Sequence, residues 1–350
     1  MPSPRMMRGH KSFFGAAIQE LGRIAGKGEW TSGSGRVERR DVREAYIARL
    51  AGAYTSETGL KVAWDCGNGA TGDIVPALLK RLPGRHRLLN ETVDGTFPAH
   101  HPDPTVAKNL EQLQAAVAAE RLDLGIAFDG DGDRIGVIDG QGRILWGDQL
   151  LALLARDVLR ERPGATIVAD VKASQALFDE IAKAGGKPLM YKTGHSLIKS
   201  KMAEIGAPLA GEMSGHIFFA DKYYGFDDAI YVAVRFLDVV ARSGQSAAVL
   251  RDTLPDMVNT PEVRFDCEEA RKFQVVEEVK ARLLARGADV NTIDGVRVTT
   301  PDGWWLLRAS NTQPVLVVRC EAKDEAGLAR LKAEVAAELA KSGIAPPEDF

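Results

Sequence analysis

Three apolar runs in this 350-residue chain each end in an aspartate and give way to a loop of small residues. They are Leu60-Lys-Val-Ala-Trp-Asp65 before Cys-Gly-Asn-Gly-Ala-Thr-Gly72, Leu124-Gly-Ile-Ala-Phe-Asp129 before Gly-Asp-Gly, and Ala165-Thr-Ile-Val-Ala-Asp170 before Val-Lys172-Ala-Ser. Apolar residues recur at helical spacing over 106–120, 147–160, 174–184, 196–205 and 228–242. Strands alternating with helices of that length predict α/β layers with largely parallel sheets. Ligands of such sheets sit at the carboxyl ends of strands, where all three aspartates fall.

Punctuation divides the chain. One α/β unit is expected over 42–143 and a second over 144–255, with Thr253-Leu-Pro255 and Thr260-Pro261 marking a linker. Residues 256–350 read differently. A helix over 268–286 precedes strands at 295–300, 304–308 and 314–320, joined by short turns, and a helix over 325–341 closes the chain. That order suggests a small α+β domain. Residues 1–41 hold one expected helix (12–25) and the loose Thr31-Ser-Gly-Ser-Gly35, too little to fold alone.

Composition excludes several classes. With 45% hydrophobic residues, 27% charged and a net charge of −3, the chain lacks the basic stripe of a nucleic-acid binder. Its three cysteines are far apart and odd in number, which argues against a disulfide framework or zinc knuckle and fits a reducing cytoplasm. No uncharged run approaches the roughly 18 residues of a membrane span, and the N-terminus lacks a signal-peptide core.

The densest chemistry lies in Asp129-Gly-Asp131-Gly-Asp133-Arg134. Carboxylates about 4 Å apart repel by roughly 1 kcal/mol in water and about 4 kcal/mol at a protein-surface dielectric, so a loop that gathers three calls for a cation. Oxygen-only ligands favour Mg²⁺, Mn²⁺ or Ca²⁺. An EF-hand is excluded, because Arg134 and Gly140 stand where it needs Gly and Glu. A plain Asp-Gly hairpin turn would gain nothing from three crowded carboxylates.

Three further loops carry donors and acceptors. Arg308-Ala-Ser310-Asn311-Thr312-Gln313-Pro314 offers a guanidinium fork, hydroxyls, an amide and backbone N–H groups that can cradle a phosphate, and it equally suits an ordinary hairpin loop. Gly211-Glu212-Met213-Ser214-Gly215-His216 can grip adjacent sugar hydroxyls, although the local sequence alone favours a turn leading into a strand. Lys192-Thr193-Gly194-His195 precedes a helix and suits an anion or a proton transfer, or a purely structural histidine. His100-His101-Pro-Asp-Pro104 reads as a rigid loop.

Taken in chain order, the acidic loop, Lys192–His195, Gly211–His216 and Arg308–Pro314 resemble those of the α-D-phosphohexomutase family, in its bacterial phosphomannomutase/phosphoglucomutase branch, from about residue 6 onward. The resemblance implies two consecutive α/β phosphohexomutase-type domains followed by the small α+β domain. It implies a monomer that interconverts hexose 1-phosphate and hexose 6-phosphate of mannose or glucose, with Mg²⁺ and with glucose 1,6-bisphosphate as activator and intermediate. By the same resemblance Asp129, Asp131 and Asp133 hold the metal and Arg134 neutralises the transferring group. Lys172 and His195 assist catalysis, Glu212, Ser214 and His216 grip the sugar, and Arg308, Ser310, Asn311 and Thr312 clamp the non-reacting phosphate. One departure is large. The family's phosphoserine loop, Thr-(Ala/Gly)-Ser-His-Asn-Pro, has no counterpart here, and Met6-Met-Arg-Gly-His-Lys-Ser-Phe-Phe-Gly15 resembles the stretch just after it. Ser3 is no substitute, and Arg5 stands where relatives have a lysine. The chain alone is therefore expected to bind sugar phosphate weakly and Mg²⁺ less well, and to turn over little or nothing. Two other readings remain at this point: a non-catalytic sugar-phosphate-binding fragment, and a haloacid-dehalogenase-type phosphatase in which Asp129 is phosphorylated.

Overall fold

A computed structural model describes residues 7–8, 11–12, 15–28, 30–311, 313–345 and 350. Ser3, Arg5 and Thr312 lie outside the described residues. The chain packs as two compact units, Met1–Leu145 with Asp227–Ala248, and Trp146–Phe226 with Val249–Phe350.

In the first unit, β1 (Met7–Arg8) and β2 (Lys11–Ser12) pair antiparallel, and α1 (Ala16–Lys27) buries none of its residues. After α2 (Arg43–Ala51) comes a mixed sheet with strand order β4-β3-β5-β6-β7. Its strands are β3 (Leu60–Asp65), β4 (Gly84–Leu89), β5 (Leu124–Phe128), β6 (Ile135–Asp139) and β7 (Ile144–Leu145). The helices between them are α3 (Val75–Leu79) and α4 (Glu111–Glu120), the latter entered through a 3₁₀ turn at Ala107–Leu110. On one sheet face Leu110, Leu113 and Val117 pack on Ala63, Ala127 and Ile138.

In this sheet the expectation of largely parallel strands holds for β3, β4 and β5. β5, β6 and β7 run antiparallel. The physical reason is the length of the acidic loop. Only residues 129–134 join β5 to β6, enough for a hairpin and far short of the dozen or more residues of a parallel crossover.

The second unit opens with α5 (Gly147–Glu161), β8 (Thr166–Asp170), α6 (Gln175–Lys183), β9 (Lys187–Tyr191), α7 (His195–Ile205), β10 (Leu209–Gly211) and β11 (Ile217–Phe219). The sheet order is β11-β10-β8-β9, parallel except for β11. Ile198 and Met202 of α7 cover Val168, Ala210 and Phe218.

α8 (Ala229–Ser243) is expected from its sequence position to belong with the segment 144–255, yet it packs in the first unit, against β5 and β6. Periodicity specifies an apolar helix face and not the sheet it covers. Long-range polar contacts do the assigning. Asp228 caps α8 at the Tyr231 N–H (3.0 Å) and accepts from the Tyr46 hydroxyl (2.8 Å), while Asp238 accepts from the Thr55 and Ser56 N–H groups at 2.6 and 3.0 Å.

After α9 (Ala247–Arg251) the second unit resumes with β12 (Val258–Asn259), β13 (Val263–Asp266), α10 (Glu269–Ala285), β14 (Asp289–Asn291), β15 (Val296–Thr300), β16 (Gly303–Ala309), β17 (Val315–Ala322) and α11 (Glu325–Ala340). The sheet is antiparallel, in the order β12-β17-β16-β15-β14 with β13 on the outside of β17. One face lies under α10 and α11. The other turns Trp304 and Leu306 onto Val171, and Arg297 donates to the Val171 and Ala173 carbonyls at 2.6 and 2.7 Å. Arg319 donates to the Lys172 carbonyl. The turn carrying Lys172 is thus held by the C-terminal sheet.

Candidate active site

The acidic loop of the first unit is built around Asp129. Its Oδ1 accepts from the backbone N–H groups of Gly132, Asp133 and Arg134, each at 3.0 Å, and its Oδ2 from Arg134 Nε at 2.9 Å. Gly132 turns with φ +80, and a Cβ there would meet Thr71 Cγ2 at 2.6 Å. Two neighbours brace the loop from outside. Ala70 N–H donates to the Gly130 carbonyl (3.0 Å), and Ala229 N–H, at the start of α8, donates to the Gly132 carbonyl (3.1 Å). The 66–72 loop noted in the sequence is therefore a wall of this site.

Asp129, Asp131 and Asp133 each bring a carboxylate oxygen within 4.8 Å of the others. Asp129 and Asp133 are buried and Asp131 is exposed. Three hard oxygen donors at that separation, on a backbone fixed by hydrogen bonds, fit a divalent cation of the Mg²⁺ type. Arg134 does more structural work than the sequence suggests. Its Nη1 lies 3.0 Å from Asp103 Oδ1, so it bridges Asp103 and Asp129. Burial disfavours its charge, but the two carboxylates prevail and raise its pKa; Asp103 is held low, against burial, by the Thr105 hydroxyl and by this guanidinium.

In the second unit the remaining expected residues form one network. Lys172 is buried with Nζ 2.8 Å from Glu262 Oε2 and 3.8 Å from Asp170 Oδ2. Burial opposes its charge, yet Asp170 and Glu262 outweigh burial and raise its pKa. Burial pushes Asp170 up to about 6, against the pull of Lys172. Glu262 resists burial through Lys172 and Arg264 and falls to about 2. Glu212 is buried too, but bonds from His216, the charge of Lys172 and the Gly194 N–H keep it below the usual carboxylate value.

The sugar-type loop is a tight turn, with Glu212 N–H donating to the His216 carbonyl (2.8 Å) and Gly215 N–H to that of Glu212 (3.0 Å). Ser214 Oγ lies 3.0 Å from His216 Nδ1, which is 3.2 Å from Glu212 Oε2. The His195 and His216 rings stack with centroids 5.6 Å apart. Glu212 Oε1 accepts from Gly194 N–H at 2.7 Å. The adjacent Thr193 N–H donates to Asp294 Oδ2 at 3.0 Å, and the same carboxylate oxygen accepts from Arg308 Nε at 3.1 Å.

Beyond Arg308, Ser310 Oγ accepts from Gln313 N–H at 3.2 Å and Asn311 stands exposed. Buried Lys272 supports this hairpin loop by donating to the Gln313 carbonyl (3.0 Å). The structure therefore joins Glu212, Ser214, His216 and Arg308 through hydrogen bonds, stacks His195 on His216, and ties in Lys172 through Asp170, whose Oδ1 accepts from Met213 N–H at 3.1 Å. Asp294 and Glu262 were not singled out from the sequence, where each is one acid among many. The one available signal is Asp294-Gly295 at a hairpin turn.

Models of the phosphoglucomutase/phosphomannomutase family match three stretches: alpha/beta/alpha domain II over 44–142, alpha/beta/alpha domain III over 146–257, and the C-terminal domain over 262–338. The phosphomannomutase/phosphoglucomutase of Pseudomonas aeruginosa PAO1 is 45% identical over 315 residues, 90% of this chain and 68% of that protein. The phosphoglucomutase of Neisseria meningitidis strain Z2491 is 42% identical over 332 residues, 94% of this chain and 72% of that one. A crystal structure of a phosphoglucomutase/phosphomannomutase family protein from Burkholderia thailandensis superposes with a TM-score of 0.89 at 41% identity, covering 95% of this chain and 72% of that one. On these matches the chain belongs to the phosphoglucomutase/phosphomannomutase family.

Proposed function

We propose that these residues serve the interconversion of hexose 1-phosphate and hexose 6-phosphate, with mannose and glucose as the sugars, through a bisphosphate intermediate. The observation that carries the reading is the second unit's network. A hairpin loop headed by Arg308 and suited to a phosphate is bonded, through the single peptide Thr193-Gly194, to a carboxylate–hydroxyl–imidazole cluster suited to sugar hydroxyls. The printed names of the relatives, phosphomannomutase/phosphoglucomutase and phosphoglucomutase, agree with that chemistry.

Arg308, Ser310, Asn311 and Thr312 clamp the phosphate that does not react. Glu212 and Ser214 hold sugar hydroxyls, with His216, His195 and Lys172 at their flank. Lys172 enters as a fixed cation, since its acidic partners hold it protonated. Asp129, Asp131 and Asp133 hold Mg²⁺, which supplies charge neutralisation for the transferring phosphoryl group. Phosphoryl transfer depends chiefly on such positioning and neutralisation. Glucose 1,6-bisphosphate is the expected primer.

No Ser-His-Asn-Pro segment occurs in these 350 residues, so we propose that the polypeptide by itself binds hexose phosphate and gives little or no turnover. A coupled mutase assay primed with glucose 1,6-bisphosphate tests this, and robust turnover by the purified chain would refute it. The phosphatase reading loses ground, because it gives the Arg308 loop and the Glu212 cluster no role.

A further inference from the structure

Resting on the reading that Arg308 meets a phosphate and Glu212 a sugar, we propose that Asp294 is the positioning residue that fixes the span between them. It thereby makes the second unit select a phosphorylated hexose over phosphate alone.

The geometry is a relay of four short contacts. Arg308 Nε donates to Asp294 Oδ2 (3.1 Å), the same oxygen accepts from Thr193 N–H (3.0 Å), the next amide, Gly194 N–H, donates to Glu212 Oε1 (2.7 Å), and Glu212 Oε2 meets His216 Nδ1 (3.2 Å). Asp294 belongs to the turn between β14 and β15, and Thr193-Gly194 to the turn between β9 and α7. One carboxylate thus joins two domains of the same unit. Its own place is fixed by Gly295, at φ +86, where any Cβ would run into the Leu307 carbonyl and Arg308 Cβ. Arg308 itself is buried, which limits its freedom to reorient without this partner.

Two binding groups on a rigid frame act on a ligand that spans them as a bivalent receptor does. The second contact then forms at high effective concentration, and that gain disappears when the frame loosens. A free phosphate touches only the Arg308 end and gains nothing from the frame. Asp294→Asn keeps the shape of the side chain but removes its negative charge: an amide oxygen in the place of Oδ2 accepts more weakly from both donors, and the amide nitrogen faces Arg308 Nη2, which lies 3.5 Å from Oδ1.

NMR titrations of the intact 350-residue protein and of Asp294→Asn, with glucose 6-phosphate and with inorganic phosphate, provide the test. The expected result is at least a tenfold loss of glucose 6-phosphate affinity with less than a threefold change for inorganic phosphate. A merely structural role would weaken both equally, and that outcome, or no change in either, overturns the proposal. A second arm needs no variant. Saturating the unaltered protein with glucose 6-phosphate should slow hydrogen exchange of both the Thr193 and Gly194 amides at least fivefold, and exchange that stays unchanged despite binding overturns the proposal even if Asp294→Asn fails to fold. Absence of glucose 6-phosphate binding by the unaltered protein would instead overturn the underlying reading of the site, and this inference with it.

Discussion

Lys172 Nζ stands 2.8 Å from Glu262 Oε2, both groups largely withdrawn from water, and this pair sets the charge of the second unit's network. Glu262 folds with its pKa lowered to about 2, so its contribution is present above the unfolded value of 4.5 and is lost as pH falls from there towards 2. Lys172 folds with its pKa raised, so its contribution is complete below the unfolded value of 10.5 and is lost as pH rises through the folded pKa. Replacing Glu262 by Gln takes from a buried ammonium its hydrogen-bonded carboxylate, and is expected to cost about 3 kcal/mol. Urea unfolding at pH 7 and pH 3 checks both the loss and its shrinkage in acid.

The acidic loop separates two roles for its aspartates. Asp129 is buried and braces the backbone, whereas Asp131 is exposed. Asp131→Asn is expected to lower Mg²⁺ affinity at least tenfold with little change in melting temperature. Asp129→Asn should lower both, with a stability loss of about 1–3 kcal/mol from the mismatched donor against Arg134 Nε. Titration with Mg²⁺ alongside thermal melts distinguishes them, and equal loss of stability in both variants would contradict the division.

Gly132 combines φ +80 with a 2.6 Å approach of its missing Cβ to Thr71 Cγ2. Gly132→Ala should therefore destabilise the protein by about 1–3 kcal/mol and weaken Mg²⁺ binding. Adding Thr71→Ser removes the methyl and should recover only part of the loss, because the backbone strain remains. Full recovery in the double variant would show that crowding alone is at work.

A fourth expectation concerns pH and the first unit's core. Trp64 Nε1 donates to His86 Nδ1 at 3.2 Å, and burial lowers the pKa of this histidine. A lowered histidine contributes stability above its unfolded value of 6.5 that is lost as pH falls through the folded pKa. His86→Gln should flatten the stability profile between pH 7 and pH 5, as read from urea midpoints.

Much of this architecture is legible in the chain itself. The helices expected at 147–160, 196–205 and 325–341 appear at Gly147–Glu161, His195–Ile205 and Glu325–Ala340, because their apolar periodicity matches the faces they bury. The helix expected at 12–25 runs over Ala16–Lys27. Two features of the fold were not legible. The sheet of the first unit is mixed because a six-residue metal-type loop doubles as a hairpin, and α8 crosses to that unit through contacts of Asp228 and Asp238 with Tyr46 and Thr55, more than 180 positions away. The loops that carry chemistry were visible as local motifs. Glu262 and Asp294 were not, since an acid's partner in another domain leaves no local signal.

The second unit is proposed to grip a hexose by its phosphate at Arg308 and by its hydroxyls at Glu212. Calorimetric titration with mannose 1-phosphate and glucose 1-phosphate, in Mg²⁺, of the 350-residue protein and of Arg308→Gln and Glu212→Gln tests this most directly. The expected result is measurable binding of both esters by the unaltered protein, lost at least tenfold in each variant with the fold intact by circular dichroism. Undiminished binding in both variants, or no binding by the unaltered protein, would contradict it.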